Sequence, residues 1–170
     1  MFDKIGNMPL HPLVIHAVVF GIPLAALLAF LFAFPKTREW ARWPLAIVVV
    51  GATVVTFVAR QSGLAFEAAL GIKPGNPVGN LILQHRQLAN QLFYIMIAFA
   101  VIGLLNVFVV RKRSSATTEG AVKQSAVLRV GLPILLVLAA VVALIWVVRV
   151  GDLGARAVWN PTAPSLFNFP

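Results

Sequence analysis

Cysteine is absent from this 170-residue chain. Its absence excludes disulfide bonds, thiolate metal sites and the covalent attachment of a c-type haem. Charge is also scarce, at 11% of residues, whereas a soluble domain carries about a quarter. Hydrophobic residues make up 60% of the chain instead, with a mean hydropathy of +0.92. This composition predicts an integral membrane protein rather than a soluble one.

Several kinds of catalytic and binding motif are missing too. The sequence has no nucleophile placed beside a base, no glycine-rich phosphate loop and no pair of carboxylates, which argues against a hydrolase. Whether the protein is an enzyme of another kind stays open. The net charge of +9 could suggest nucleic acid as a partner. The basic residues lie between apolar runs, however, so we expect no nucleic-acid binding.

Four apolar runs have the length that a bilayer requires, since about 20 helical residues cross a hydrocarbon core of about 30 Å. They predict an all-α fold, a four-helix bundle in the lipid bilayer that forms a single membrane domain. Residues 111–126 are expected to form a flexible cytoplasmic loop and residues 149–170 a C-terminal tail. The predicted spans cover about residues 12–34, 44–60, 85–110 and 127–148.

The basic residues are distributed unevenly between the two sides of the predicted bundle. The loops after the first and third spans, with the residues next to them, hold eight lysines and arginines, and the other side holds six. The positive-inside rule then puts both loops in the cytoplasm and both termini outside. We therefore expect a multi-pass protein of a bacterial-type inner membrane, with its termini on the outer side.

All three histidines fall at the outer end of the predicted bundle. His11 and His16 are five residues apart on one helix and point about 140° away from each other. We expect the deeper His16 to face the interior and His11 to cap the helix or bond at the interface. His16 and His85 could then be the two axial ligands of a b-type haem held between helices. Its propionates would pair with basic residues at the same end, namely Arg60, Arg86, Arg149 and Arg156.

A stripe of polar residues marks the third helix: Gln84, Gln87, Gln91 and Tyr94 recur every three or four positions, with Asn90 beside them. Polar side chains that enter a membrane usually face the bundle interior or a wet cavity. The stripe is equally well explained by an interior polar pocket and by hydrogen bonds that hold neighbouring helices together.

Three functional interpretations stay open. In the first, the haem makes the protein an electron-transfer subunit between quinol and a respiratory-type partner complex. In the second, the histidines are ordinary capping and interfacial residues, and the chain is a cofactor-free accessory or assembly subunit packed against other membrane subunits. In the third, His11, His16 and His85 bind copper or zinc together, with Met8 as a soft ligand for copper.

Three motifs carry a resemblance to a known family. The stretches "LHPLVIHAVVFGIPLA", "HRQLAN" and "RVGDLGARAVW" resemble the opening, third-helix and closing motifs of a family of predicted small membrane proteins, domain of unknown function 2231. The resemblance implies four spans along the whole chain. It also implies a shared role for the residues on the family's motif positions, which are His11, His16, His85 and Asn90. Some members of the family are fused to cytochrome-like domains, which favours haem.

The chain departs from the family pattern in places. Ala17 and Val18 stand where the family favours Phe and Pro, and Ala155 replaces the second glycine of the closing motif. The histidine that often follows that motif is missing, with Asn160 and Pro161 near its place. The resemblance therefore supports the fold more strongly than it supports any one function.

Overall fold

The computed structural model describes residues 4–6, 8–73, 75–110 and 126–162. These residues contain a short antiparallel strand pair followed by four long helices, each long and apolar enough to cross a membrane. The four-helix membrane fold expected from the sequence is confirmed. The strands are β1 (Lys4–Ile5) and β2 (Met8–Pro9), and the helices are α1 (Leu10–Ala33), α2 (Arg38–Leu70), α3 (Pro77–Val109) and α4 (Ala126–Trp159).

Local sequence explains how the helices are connected. α2 ends at Gly71, which adopts a left-handed conformation with φ of 61°, as is common where a helix stops. α3 then begins at Pro77. The side chain of Asn76, the residue before it, accepts a hydrogen bond of 2.7 Å from the backbone nitrogen of Gly79. A proline at the first helical position and an asparagine before it are both typical helix starts.

Each helix packs against two neighbours, so that α1, α2, α3 and α4 close into a ring in chain order. Small side chains occupy much of the interior and let the backbones approach closely, as membrane helices require. Large apolar side chains point outward on every helix, where lipid can cover them. The buried alanines include Ala25, Ala29, Ala41, Ala52, Ala140 and Ala143, and the exposed large residues include Phe20, Ile47, Phe108 and Leu138.

Three helices are longer than a bilayer needs. α2, α3 and α4 have 33, 33 and 34 residues, and 33 residues at about 1.5 Å each extend roughly 50 Å, against a hydrocarbon core of about 30 Å. α2 continues past the predicted exit at residue 60, and α3 begins well before residue 85. α4 continues to Trp159, so the first part of the expected tail is helical.

The bundle has two distinct ends. The histidine end contains the start of α1 and α3 and the end of α2 and α4; the loop end contains the opposite termini, the α1–α2 connection at 34–37 among them. The extra helical turns of α3 and α4, and most of those of α2, lie at the histidine end, beyond the most apolar segments. The expected flexible loop, apart from Ala126, and the last residues of the expected tail, 163–170, lie outside the described residues.

Candidate histidine site between the helix pairs

His11 lies in the first turn of α1 and reaches across to α2. Its Nδ1 is 3.0 Å from the carbonyl oxygen of Ala59 and 3.3 Å from the hydroxyl of Ser62. The imidazole rests on Gly63, where a Cβ atom would come within 3.1 Å of the ring. Gly63 is therefore the residue that leaves room for this ring against the α2 backbone.

His85 repeats this arrangement between α3 and α4. Its Nδ1 is 2.9 Å from the carbonyl oxygen of Val150, and its ring rests on Gly154, where a Cβ would come within 3.2 Å. In both cases the carbonyl belongs to the residue one helical turn before the glycine. The chain thus contains two equivalent histidine–glycine pairs, His11 with Gly63 and His85 with Gly154.

The two imidazoles meet inside the histidine end. Their ring centroids are 6.3 Å apart and their planes are nearly perpendicular, at 85°. A carbonyl oxygen can only accept a hydrogen bond, so in the neutral form of each ring Nδ1 carries the proton and Nε2 the lone pair. Histidines that ligate metals are commonly held in this way, with the second nitrogen donating to a carbonyl or a carboxylate.

His16 does not join this pair. It is exposed, and its Nδ1 lies 2.8 Å from the carbonyl oxygen of Pro12 in its own helix. The expectation that His16 faces the interior and His11 caps the helix therefore differs from the structure, in which His11 packs inside the bundle and His16 is exposed. α1 has only one inward face, and the two side chains point in different directions around it.

The packing of α1 explains which histidine faces inward. His11 precedes Val18, Ile22 and Ala25 at helical spacing, and those residues are buried. His16 shares its stripe with Phe20 and Leu27, which are 78% and 54% exposed. In the sequence, the small residues Ala25 and Ala29 could have indicated which face of α1 points inward. Counting back from them by whole helical turns leads to position 11.

Two of the predicted arginines link α2 to α3 beside the rings. Arg60 donates from Nε to the side-chain oxygen of Asn90 at 2.6 Å. Arg86 forms an ion pair with Glu67 at 3.0 Å, with Arg86 the more exposed partner. Both cations belong to the site region, and each already has a partner within the chain.

The other two predicted arginines lie on α4. Arg149 stacks over the ring of Trp146 at 5.2 Å, and the indole nitrogen of Trp146 donates to Gln91 on α3 at 3.0 Å. Arg156 lies 3.9 Å from Asp152, one turn earlier in the same helix. All four arginines are thus at the histidine end, as the sequence indicates.

The polar stripe of α3 faces outward. Gln84, Gln87, Gln91 and Tyr94 are all exposed, so they do not line an interior pocket, and that interpretation of the stripe is wrong. The cause is the length of α3: its first turns extend beyond the apolar segment, where polar side chains face water. Tyr94, like Trp146, sits where aromatic residues of a membrane interface are expected.

The three-histidine metal site also differs from the structure. Among the described residues, no group of three His, Cys, Asp or Glu side chains is close enough to hold a metal ion. Met8 is 58% exposed. His16 is separated from the other two rings because it lies on another face of α1.

These features define a class: a four-span membrane protein with two equivalent histidine–glycine pairs at one end of its bundle. Residues 7–163 match the sequence model of a family described as predicted membrane protein DUF2231, and the chain belongs to that family. No curated protein and no solved structure matches the chain. The motifs that resemble this family meet at the histidine end, because they contain His11, His85, Asn90, Val150 and Gly154.

Proposed function

We propose that the histidine end binds one b-type haem, with His11 and His85 as its axial ligands, and that the protein transfers electrons between quinol and a partner membrane complex. The observation that carries this proposal is the closeness of the two imidazoles, His11 and His85, which come from different helices. A metal–nitrogen bond is about 2 Å long, so two rings that share one ion have centroids roughly 6 Å apart. The two ring centroids lie 6.3 Å apart, which is close to that value.

The tautomer supports the same proposal. Each Nδ1 is directed to a backbone carbonyl, which orients the ring and leaves the Nε2 lone pair for a ligand. Such contacts to the second nitrogen typically strengthen metal binding. His11 takes the place that we expected for His16, and His85 keeps its expected place.

The arginines supply the charge that two propionates need. Arg60 and Arg86 link α2 to α3 beside the rings, through Asn90 and Glu67. If a haem is held by His11 and His85, the guanidiniums of Arg60 and Arg86 would pair with its propionates in place of these contacts. Arg149 and Arg156 extend the positive charge along α4 at the same end.

A second candidate function has an observation of its own. Both imidazoles pack tightly on glycine, and each already bonds to a neighbouring helix. That arrangement suits two cofactor-free contacts that hold the helix pairs of an accessory subunit together. In this alternative the exposed apolar surface serves to pack against the other subunits of a larger membrane complex.

The visible spectrum of the full chain, purified from haem-replete cells, separates the two. We expect a six-coordinate, low-spin b-type spectrum that is lost in His11→Ala and in His85→Ala. His16→Ala is the matched control, since it removes an exposed imidazole from the same helix, and its spectrum should be unchanged. A colourless wild-type protein at normal yield would contradict the haem proposal and favour the accessory subunit. Loss of the spectrum in His16→Ala and His85→Ala but not in His11→Ala would restore His16 as the ligand.

A further inference from the structure

An open groove of about 360 Å³ lies at the loop end, between the end of α1 and the first turns of α4. It combines two arginines with an apolar wall that α4 supplies. Its lining includes Arg38, Arg129, Pro133, Ile134, Val137 and Leu138. Nothing in this groove belongs to the histidine site, which is at the opposite end of the bundle.

Arg38 is held in a fixed position at the groove. It donates from Nε to the carbonyl of Phe32 at 3.1 Å and from Nη2 to the carbonyl of Ala33 at 3.0 Å. Its guanidinium also lies 5.5 Å from the centre of the Phe32 ring. These bonds occupy carbonyls that the end of α1 leaves open. A guanidinium has five N–H donors, so donors remain for a ligand.

The described part of the chain leaves the groove with a net positive charge, although Glu39 lies near enough to Arg38 to interact with it electrostatically. Arg38 and Arg129 are both half-buried, and neither forms an ion pair with a described acidic residue. The nearby Glu39 is instead 3.6 Å from Arg42. Two half-buried cations next to one apolar wall favour a ligand that is anionic at one end and apolar at the other.

The position of the groove indicates the source of that ligand. Ile134 and Leu138 are 54% and 57% exposed on the outer surface of α4, where acyl chains surround the bundle. Trp40 and Trp43, 67% and 59% exposed at the start of α2, mark the membrane interface at the same end. The arginines therefore lie at headgroup depth, and the apolar wall continues into the hydrocarbon.

We propose that this groove binds one anionic phospholipid, with its phosphate between Arg38 and Arg129 and an acyl chain along Pro133, Ile134 and Val137. Guanidinium groups match phosphate oxygens in geometry as well as in charge. Basic pockets between transmembrane helices commonly hold anionic lipid headgroups. The proposal does not depend on any cofactor at the histidine end.

To test this, the purified full chain is exchanged into mixed micelles of phosphatidylglycerol and phosphatidylcholine. Native mass spectrometry then measures which lipid the protein retains. We expect one phosphatidylglycerol retained in preference to phosphatidylcholine. Arg129→Gln should lower that preference about fivefold. Because Arg38 also holds the end of α1, Arg129→Gln is the primary variant and R38Q/R129Q the second. Lys36→Gln is the matched control: it removes one exposed positive charge from the same end and should leave the preference unchanged.

Two further arms identify the ligand as a lipid. Val137→Phe fills the apolar wall and should lower retention while both arginines remain. Inorganic phosphate should not displace the bound lipid, because it cannot occupy the apolar wall. Equal losses in Arg129→Gln and Lys36→Gln would overturn the proposal in favour of general surface charge. Full displacement by phosphate, with no effect of Val137→Phe, would overturn it in favour of a simple anion site.

Discussion

The two ends of the bundle differ in how their charged and polar residues are paired. At the histidine end, His11 and His85 bond to backbone carbonyls of neighbouring helices, and Arg60 and Arg86 have Asn90 and Glu67 as partners. At the loop end, Arg38 and Arg129 form no ion pair with a described acid. One fold thus supports two surfaces of different chemistry.

The difference indicates what each end can bind. Groups that are already oriented by the protein suit a ligand that needs fixed geometry, such as a metal centre. Half-buried cations beside an apolar groove suit an amphipathic anion.

The largest expected effect concerns which side of the membrane each end faces. The chain has no cysteine, so Lys36→Cys at the loop end and Lys73→Cys at the histidine end are clean reporters at exposed positions. The charge distribution predicts that an impermeant thiol reagent labels Lys73→Cys in whole cells and Lys36→Cys only after lysis. The reverse labelling would put the histidine end in the cytoplasm and contradict transfer of electrons at the outer face.

A smaller effect is expected from the two glycines under the rings. Gly63→Ala and Gly154→Ala place a methyl group within 3.1 and 3.2 Å of the imidazoles. Because the rings are held by their carbonyl bonds, we expect each change to lower the free energy of unfolding by about 1–3 kcal/mol. Thermal unfolding in detergent measures this.

Matched controls for those glycines exist on the same helices. A Cβ at Gly51 of α2 or Gly151 of α4 meets nothing within 4 Å. Gly51→Ala and Gly151→Ala should therefore be neutral or stabilise the helix by up to about 1 kcal/mol, from alanine's higher helix propensity. Equal behaviour of all four variants would mean that the histidine–glycine pairs do not constrain the packing.

The smallest expected effect is at the loop end of the core. Asn106 is fully buried and donates from Nδ2 to the carbonyls of Ile102 and Leu132, while its Oδ1 lacks a described partner. Asn106→Leu loses the bond to α4 but also removes the unpaired oxygen, so we expect a cost of about 1 kcal/mol or less. A loss above about 3 kcal/mol, outside the usual range of single interhelical bonds, would show that Oδ1 has a bound partner such as water.

The sequence was sufficient to predict the four helices and the grouping of histidines and arginines at one end. Long apolar runs determine the spans, and polar residues collect where spans end. Hydropathy could not give the full lengths of α2, α3 and α4. It drops where a helix leaves the lipid, although the helix itself continues because its backbone hydrogen bonds are internal.

The arrangement of the site was harder to predict. Whether His11 or His16 faces inward depends on the rotation of α1, which is set by packing of Ala25 and Ala29 against the other helices rather than by the histidines. The partners of the rings are backbone carbonyls and glycines, such as Gly63, which carry no chemical signature in a sequence. The polar stripe of α3, which includes Gln87, faces outward for the same reason: tertiary packing sets the rotation of the helix.

The most direct test of the central claim, that His11 and His85 act as one ligand pair, is solid-state NMR of the full chain in bilayers with ¹⁵N-labelled histidine. The three histidines serve as internal references for one another, and the three single His→Ala variants assign their signals. On titration with haem, we expect the Nε2 signals of His11 and His85 to be perturbed together while those of His16 keep their positions. A shift confined to His16 and His85, or three unchanged histidines at saturating haem, would contradict it.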